Sequence, residues 1–418
     1  MQFCSIGSGS QGNAFVVQDK DTSLLIDCGF GLAETEKRLD NQGIKAEKIT
    51  AILLTHEHED HIRGAFSLAN KFKIPIYLTH GTYKMCSKKI KISFEIEYQF
   101  IDGQKPFQIK TIAVIGAGPA GLACAHKLAT FGHDVIIYEA REKGGGLNEF
   151  GIAAYKSNDD FAQKELEWLL SIGGIKIEYG KKVGSEINLD QLQLDYDAIF
   201  IGMGLSGVNS LRCIGEELEN VDNAVNFISE LRQADSLLNV KVGRDVVVIG
   251  GGMTAVDAAV QSKLLGSQNV SLVYRRGKKD MSASIYEQDL ATSKGVRIIY
   301  NATPLEVVKN NSTLNVKFGY TETIDSKLKQ TGETFNLAAN QVLKAIGQNL
   351  SEEINSLKIS NGKIYVDQNG QTNISNIWAG GDCVTTGDDL TVTAVAQGRD
   401  AAIDINSQLM KQIKKEGQ

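Results

Sequence analysis

Apolar residues along this chain follow two rhythms. Short runs rich in Val, Ile and Leu predict buried strands, and intervening stretches with apolar residues three and four apart predict helices packed on them. Up to about residue 108 the expected strands are Ala14–Val17, Leu24–Asp27, Ala51–Thr55 and Ile74–Thr79, with helical patterns over Leu32–Gln42 and Ile62–Phe72. From Lys110 the alternation becomes more regular. An apolar run to Ile115 passes through glycines into a helix over Pro119–Phe131, then a strand over Asp134–Tyr138. The same succession returns with Asp245–Ile249, a helix over Val256–Leu265 and a strand over Asn269–Tyr274. Two further strands, within Tyr196–Gly204 and Gln341–Gln348, run into glycine turns, and a last helix opens near Thr391. The fold class expected is α/β.

The glycines between strand and helix carry chemistry. In Gly116-Ala-Gly118-Pro119-Ala120-Gly121 they serve a tight turn, close backbone approach to a pyrophosphate, and helix–strand packing. The N–H groups that open the following helix suit the pyrophosphate. Glu139, ending the next strand, is placed to accept hydrogen bonds from ribose hydroxyls. The second fingerprint is Gly250-Gly251-Gly252-Met253-Thr254-Ala255. Two fingerprints, each after a buried β-branched run, predict two dinucleotides on one chain, and hence hydride transfer by an oxidoreductase. After the second fingerprint's next strand stand Arg275 and Arg276 rather than an acid. Paired arginines suit a 2′-phosphate through charge-assisted bonds of roughly 1.5–3 kcal/mol each, so NADPH is favoured over NADH.

Size and charge narrow the class. The 418 residues suffice for two to three domains, and a net charge of −6 points to no nucleic acid and no anionic membrane surface. Six scattered cysteines without a CxxC pair read as reduced thiols. The start lacks a leader pattern and no apolar stretch has membrane-spanning length, so a cytoplasmic location is expected.

The first segment holds Thr55-His-Glu-His-Glu-Asp-His61. Alternate His56 and His58 can face one metal while Asp60 and His61 turn toward a second, a donor set suited to zinc. With Leu25-Ile-Asp27-Cys-Gly29 upstream, the segment resembles the start of a metallo-β-lactamase-fold hydrolase. The resemblance implies later ligands from a second half that this chain lacks, so a partial αββα segment with an incomplete zinc site is expected. His80, His126 and His133 are expected as ordinary packing or surface histidines.

The remainder, Lys110–Asn406, resembles one family through several separate motifs. They are Gly145–Lys156, with Gly146 and Leu147 in its glycine run; Gly250–Asp257; Tyr274–Gly277 with Met281-Ser-Ala283; and Ala379-Gly-Gly381-Asp382-Cys383. The family is the FAD- and NAD(P)-binding subunit of bacterial dihydropyrimidine dehydrogenase, kin to the glutamate synthase small chain. The resemblance implies that Gly146 and Leu147 lie against the flavin, that Asp382 holds its ribityl or phosphate side, and that the helix from Thr391 points its dipole at the flavin's pyrimidine edge. It implies a partner subunit carrying FMN and iron–sulfur clusters that reduces pyrimidines. Disulfide reductases of this architecture carry a redox cysteine pair after the glycine run, where this chain has none. The usual cysteine-rich iron–sulfur domain is replaced by the half-hydrolase.

The domains expected are 1–108, metallo-β-lactamase-like; 110–241 with 347–418, a discontinuous FAD domain; and 242–346, an inserted NAD(P) domain. Both are Rossmann-like. Asp102–Lys110 joins the parts with little sign of a flexible linker. A fusion of two truncated genes, natural or from sequence assembly, accounts for the arrangement. The rival readings are a zinc-dependent hydrolase and a non-catalytic fusion.

Overall fold

The computed structural model describes residues 2–9, 12–20, 22–89, 98–100, 110–311, 313–350, 354 and 356–416. The junction at 102–109 lies outside the described residues. Strands β1 (Gln2–Gly7), β2 (Ala14–Asp19), β3 (Thr22–Ile26), β4 (Ala51–Leu53), β5 (Ile76–Leu78) and β6 (Tyr98–Phe100) form one sheet in that order. β1 to β3 run antiparallel, and β3 to β6 parallel. Helices α1 (Leu32–Asn41), α2 (Glu59–Ile62), α3 (Ala65–Phe72) and α4 (His80–Lys89) connect them. Val16, Leu25, Ile52, Leu68 and Ile76 are fully buried in their core. The helix expected over Ile62–Phe72 is instead broken between α2 and α3 at Gly64. A Cβ there would stand 2.1 Å from the Phe30 carbonyl oxygen, so the chain turns where only glycine fits.

The second stretch begins with β7 (Thr111–Ile115), α5 (Pro119–Thr130), β8 (Asp134–Tyr138), α6 (Leu147–Phe150), α7 (Phe161–Leu170), β9 (Ile175–Glu178), α8 (Leu189–Asp195) and β10 (Ala198–Ile201). Then come β11 (Gly207–Val208), β12 (Val221–Asn223), α9 (Ala224–Gln233), β13 (Asp245–Gly250), α10 (Met253–Leu264), β14 (Asn269–Val273), α11 (Ile285–Ser293) and β15 (Val296–Ile299). A three-stranded antiparallel sheet follows: β16 (Ala302–Asn310), β17 (Thr313–Ile324) and β18 (Lys327–Ala339). The chain ends with β19 (Gln341–Ala345), β20 (Gln348–Asn349), the ribbon β21 (Ile359–Ser360) and β22 (Lys363–Ile364), β23 (Ile377–Ala379) and α12 (Thr391–Glu416).

Two five-stranded sheets carry this stretch, ordered β23-β10-β7-β8-β9 and β12-β19-β13-β14-β15. The second is parallel throughout, and Val246–Ile249 of its central strand are buried on both faces, as helices on each side require. β10 and β23 pair although the whole second sheet lies between them in sequence. The antiparallel pair β11 and β20 stands where the chain leaves and re-enters the first sheet. β12 joins β19 upstream of the boundary expected at 242, through Val221 opposite Val342. This short strand has no apolar run to announce it.

The compact units are Met1–Ile112 with His126–Val135 and Ile172–Ile175, and Ala113–Ala125 with Ile136–Ser171 and Lys176–Gln418. The first unit keeps the end of α5 and the start of β8, where the Lys84 ammonium lies 3.0 Å from the Asp134 carboxylate.

Candidate functional site

β7 ends in the buried Ile115, and Gly116 then turns the chain at φ +96°. Gly121 sits in the first turn of α5, where a Cβ would fall 1.9 Å from the Gly116 carbonyl oxygen. Pro119 and Ala120 open that helix, whose first N–H groups have no partner within it. Glu139, just past β8, is buried and accepts hydrogen bonds from the N–H groups of Ala117 (2.7 Å) and Arg141 (2.9 Å). Its carboxylate thus braces the glycine turn as well as lining the space beyond it. Gly146, at φ +55°, backs onto Gly118: a Cβ on it would lie 2.7 Å from the Gly118 Cα. Leu147 starts α6. Two backbones meeting without side chains leave a cradle that fits a pyrophosphate.

On the far wall, Gly381 donates its N–H to Gln397 Oε1 at 2.7 Å. Burial holds the Asp382 carboxyl above the usual range, with Asp389 adding to the effect and Lys363 opposing it. Thr391 opens α12 and donates to Asn148 Oδ1 at 3.2 Å.

The second turn is built alike. Gly250 lies against β19, where a Cβ would stand 2.1 Å from the Ala345 carbonyl oxygen. Gly251 lies under the Tyr274 ring, and Gly252 caps α10 ahead of Met253 and Thr254. Ala283 folds back to donate to the Gly251 carbonyl at 3.0 Å. Arg275 and Arg276 are exposed after β14 beside exposed Lys278 and Lys279, and among the described residues no carboxylate pairs with either arginine.

One cavity of about 430 Å³ joins the two turns. Gly116, Gly118, Pro119, Ala120, Glu139, Gly146, Leu147, Gly381, Asp382 and Thr391 line it, as do Met253 and Thr254. Gly121, Gly250, Gly251 and Gly252 are not in its walls; they shape the backbone behind them. Arg275 and Arg276 also lie outside its walls.

Sequence reasoning singled out no role for Lys156 and Asp257, which line the cavity too. The Lys156 ammonium is 2.7 Å from Asp257 Oδ1 and 2.9 Å from Glu287 Oε1, and the Tyr155 hydroxyl donates to Asp257 at 2.7 Å. Burial pulls the Lys156 pKa down, but its two carboxylate partners outweigh this and raise it. Burial and the Asp257 hydrogen bond push Tyr155 far up. The available signal was a lone acid, Asp257, on the buried Ala255–Ser262 face of α10.

The four expected metal ligands lie together near the start of α2, and three of them contact neighbouring polar side chains. Asn13 Nδ2 donates to Asp60 Oδ2 (3.0 Å) and contacts His61 Nε2 (3.1 Å). His61 Nδ1 faces Asp27 (2.8 Å), and His56 Nδ1 faces the Thr55 hydroxyl (2.9 Å). The His58 ring packs edge-on against His56. Among the described residues no group of three or more His, Cys, Asp or Glu side chains could hold a metal ion. The expected zinc site is therefore not supported among the described residues.

Residues 110–398 match the pyridine nucleotide-disulphide oxidoreductase family, and residues 7–143 the metallo-beta-lactamase superfamily. The chain is 34% identical over 321 residues to the NADP(+)-dependent formate dehydrogenase subunit beta of Moorella thermoacetica, covering 72% of this chain and 44% of that one. It is 33% identical to the glutamate synthase [NADPH] small chain of Escherichia coli, covering 70% of this chain and 67% of that one. It is 32% identical to the NAD-dependent dihydropyrimidine dehydrogenase subunit PreT of Salmonella typhimurium, covering 71% of this chain and 68% of that one. The chain thus spans from under half to about two thirds of the length of these relatives. Among solved structures, Mycobacterium tuberculosis FprA in complex with NADPH shares the fold, with a TM-score of 0.62 at 18% identity over 74% of this chain and 86% of that one. Among the described residues no helix is long and apolar enough to cross a membrane. The chain belongs to the pyridine nucleotide-disulphide oxidoreductase family, as an FAD-dependent NAD(P) oxidoreductase.

Proposed function

We propose that the chain brings NADPH and FAD together in the one cavity and sends the electrons on to a partner subunit that reduces a pyrimidine. The observation that carries this reading is the shared cavity: Gly116 and Gly118 of the first glycine turn line it together with Met253 and Thr254, which open the helix after the second. Bound FAD supplies the two-electron acceptor. The chain's own residues do the positioning. The α5 N-terminus and the paired Gly118 and Gly146 hold a pyrophosphate, Glu139 the adenosine ribose, and Gly381 and Asp382 with the start of α12 the ribityl and ring end. Met253 and Thr254 face the nicotinamide from the other wall. In this reading residues 110–241 and 347–418 hold FAD, and 242–346, extended upstream to β12, hold the nucleotide. Electron exit through a cysteine pair has no support: among the described residues no disulfide joins two cysteines, and burial pushes the Cys383 thiol, next to Asp382, up to about 12. The pyrimidine and the partner subunit rest on likeness to the dihydropyrimidine dehydrogenase subunit.

Arg275 and Arg276 support NADPH over NADH, as exposed cations at the end of β14 with no carboxylate partner among the described residues. The test compares kcat/KM for the two nucleotides with ferricyanide as acceptor. Wild type is expected to favour NADPH, and Arg275→Ala to lower its kcat/KM about tenfold to a hundredfold while sparing NADH. Equal values for both nucleotides in wild type and variant contradict the assignment.

A further inference from the structure

The stretch 149–157, which follows the glycine run at the flavin wall, is fastened almost entirely to elements of the second sheet. From α9, Arg232 donates to the carbonyls of Glu149 and Ser157. From α10, Gln261 accepts the Ala154 N–H at 3.1 Å. Tyr155 donates to Asp257 of α10, and Lys156 adds a link of its own: its ammonium, in the cavity wall, holds Asp257 of α10 and Glu287 of α11 at once. Both acids are nearly buried, with side-chain exposures of 6% and 10%. Asp257 lies one helical turn beyond Met253 and Thr254, which line the same cavity.

We propose that Lys156 is a positioning residue for hydride transfer, which sets the distance between the two ends of the cavity by drawing α10 and α11 onto the loop at the flavin wall. This rests on the reading of the cavity as a hydride-transfer site. Hydride transfer needs donor and acceptor within about 3–3.5 Å, and a misplacement of about 1 Å can cost a hundredfold in rate. Removing the ammonium leaves two nearly buried carboxylates without the cation they share, and they shift apart or take up a proton. Arg232, Gln261 and Tyr155 still tie the loop down, so the effect falls on spacing rather than on attachment.

The test is anaerobic stopped-flow flavin reduction by NADPH in wild type, Lys156→Met, Lys156→Arg and Glu287→Gln. Lys156→Met is expected to keep its flavin and to bind NADPH within about threefold of wild type, while hydride transfer slows at least tenfold. The kinetic isotope effect with 4-deuterated NADPH should rise, and Lys156→Arg should recover most of the rate. Glu287→Gln, which leaves the Lys156–Asp257 contact in place, should show a smaller loss in the same step. Reduction at the wild-type rate in Lys156→Met overturns the proposal. Should that variant fail to hold flavin, an unchanged rate in Glu287→Gln overturns it instead. A wild-type protein that holds flavin but is bleached by neither NADPH nor NADH sinks the hydride-transfer reading itself, and that outcome is distinct from both.

Discussion

Gly251 shows how one missing side chain supports a nucleotide site. A Cβ there would lie 2.3 Å from Tyr274 Cδ2, and the ring's hydroxyl is held by the Asp280 carbonyl, to which it donates at 2.6 Å. Gly251→Ala is expected to cost about 1–3 kcal/mol of stability and to displace the turn under the nucleotide. KM for NADPH should rise severalfold while the bound flavin, held by the other turn, is retained. Unchanged nucleotide kinetics would show that the ring can move. Positions of this kind are legible in sequence because their requirement is local: Gly116, Gly118 and Gly121 follow from the spacing of one turn. Lys156 and Asp257 are not legible in that way. Each reads alone as a solvated charge, and only the packing of the loop on α10 brings them together.

At the scale of elements, the charge network that joins the loop to α10 and α11 gives a pH signature. The Lys156 pKa is raised above its ordinary 10.5 by Asp257 and Glu287 acting against burial. Its stabilising contribution is therefore complete below pH 10.5 and is lost as pH rises through the raised value. The Glu287 pKa is lowered, since hydrogen bonds from Lys156 and Ser284 outweigh burial; its contribution is complete above 4.5 and fades as pH falls through the lowered value. The difference in Tm between wild type and Lys156→Met should thus stay level across neutral pH and shrink only toward either extreme. A difference that vanishes between about pH 6 and 9 contradicts the pairing. The strands and helices of the two Rossmann-like units were legible because buried parallel strands are continuous apolar runs. The sheet of β16 to β18 was not read, although Leu314, Val316 and Phe318 alternate with polar residues as a half-buried strand demands. β12 carries no such pattern, and its place comes from pairing with β19 alone.

Across the whole molecule, the first glycine turn and the start of the helix after the second line a single cavity, and the segment before them matches the metallo-beta-lactamase superfamily without a metal-holding group among the described residues. The histidine string was legible as metal-ligand spacing, but spacing does not show that Asn13, Asp27 and Thr55 contact Asp60, His61 and His56. Function therefore rests on the cavity. The most direct measurement is the visible spectrum of the purified chain, recorded before and after anaerobic addition of NADPH. The expected result is a yellow protein with about one flavin per chain whose absorbance bleaches with one equivalent of nucleotide. A colourless protein that takes up no added FAD, or a bound flavin that keeps its absorbance under excess NADPH and NADH, contradicts it.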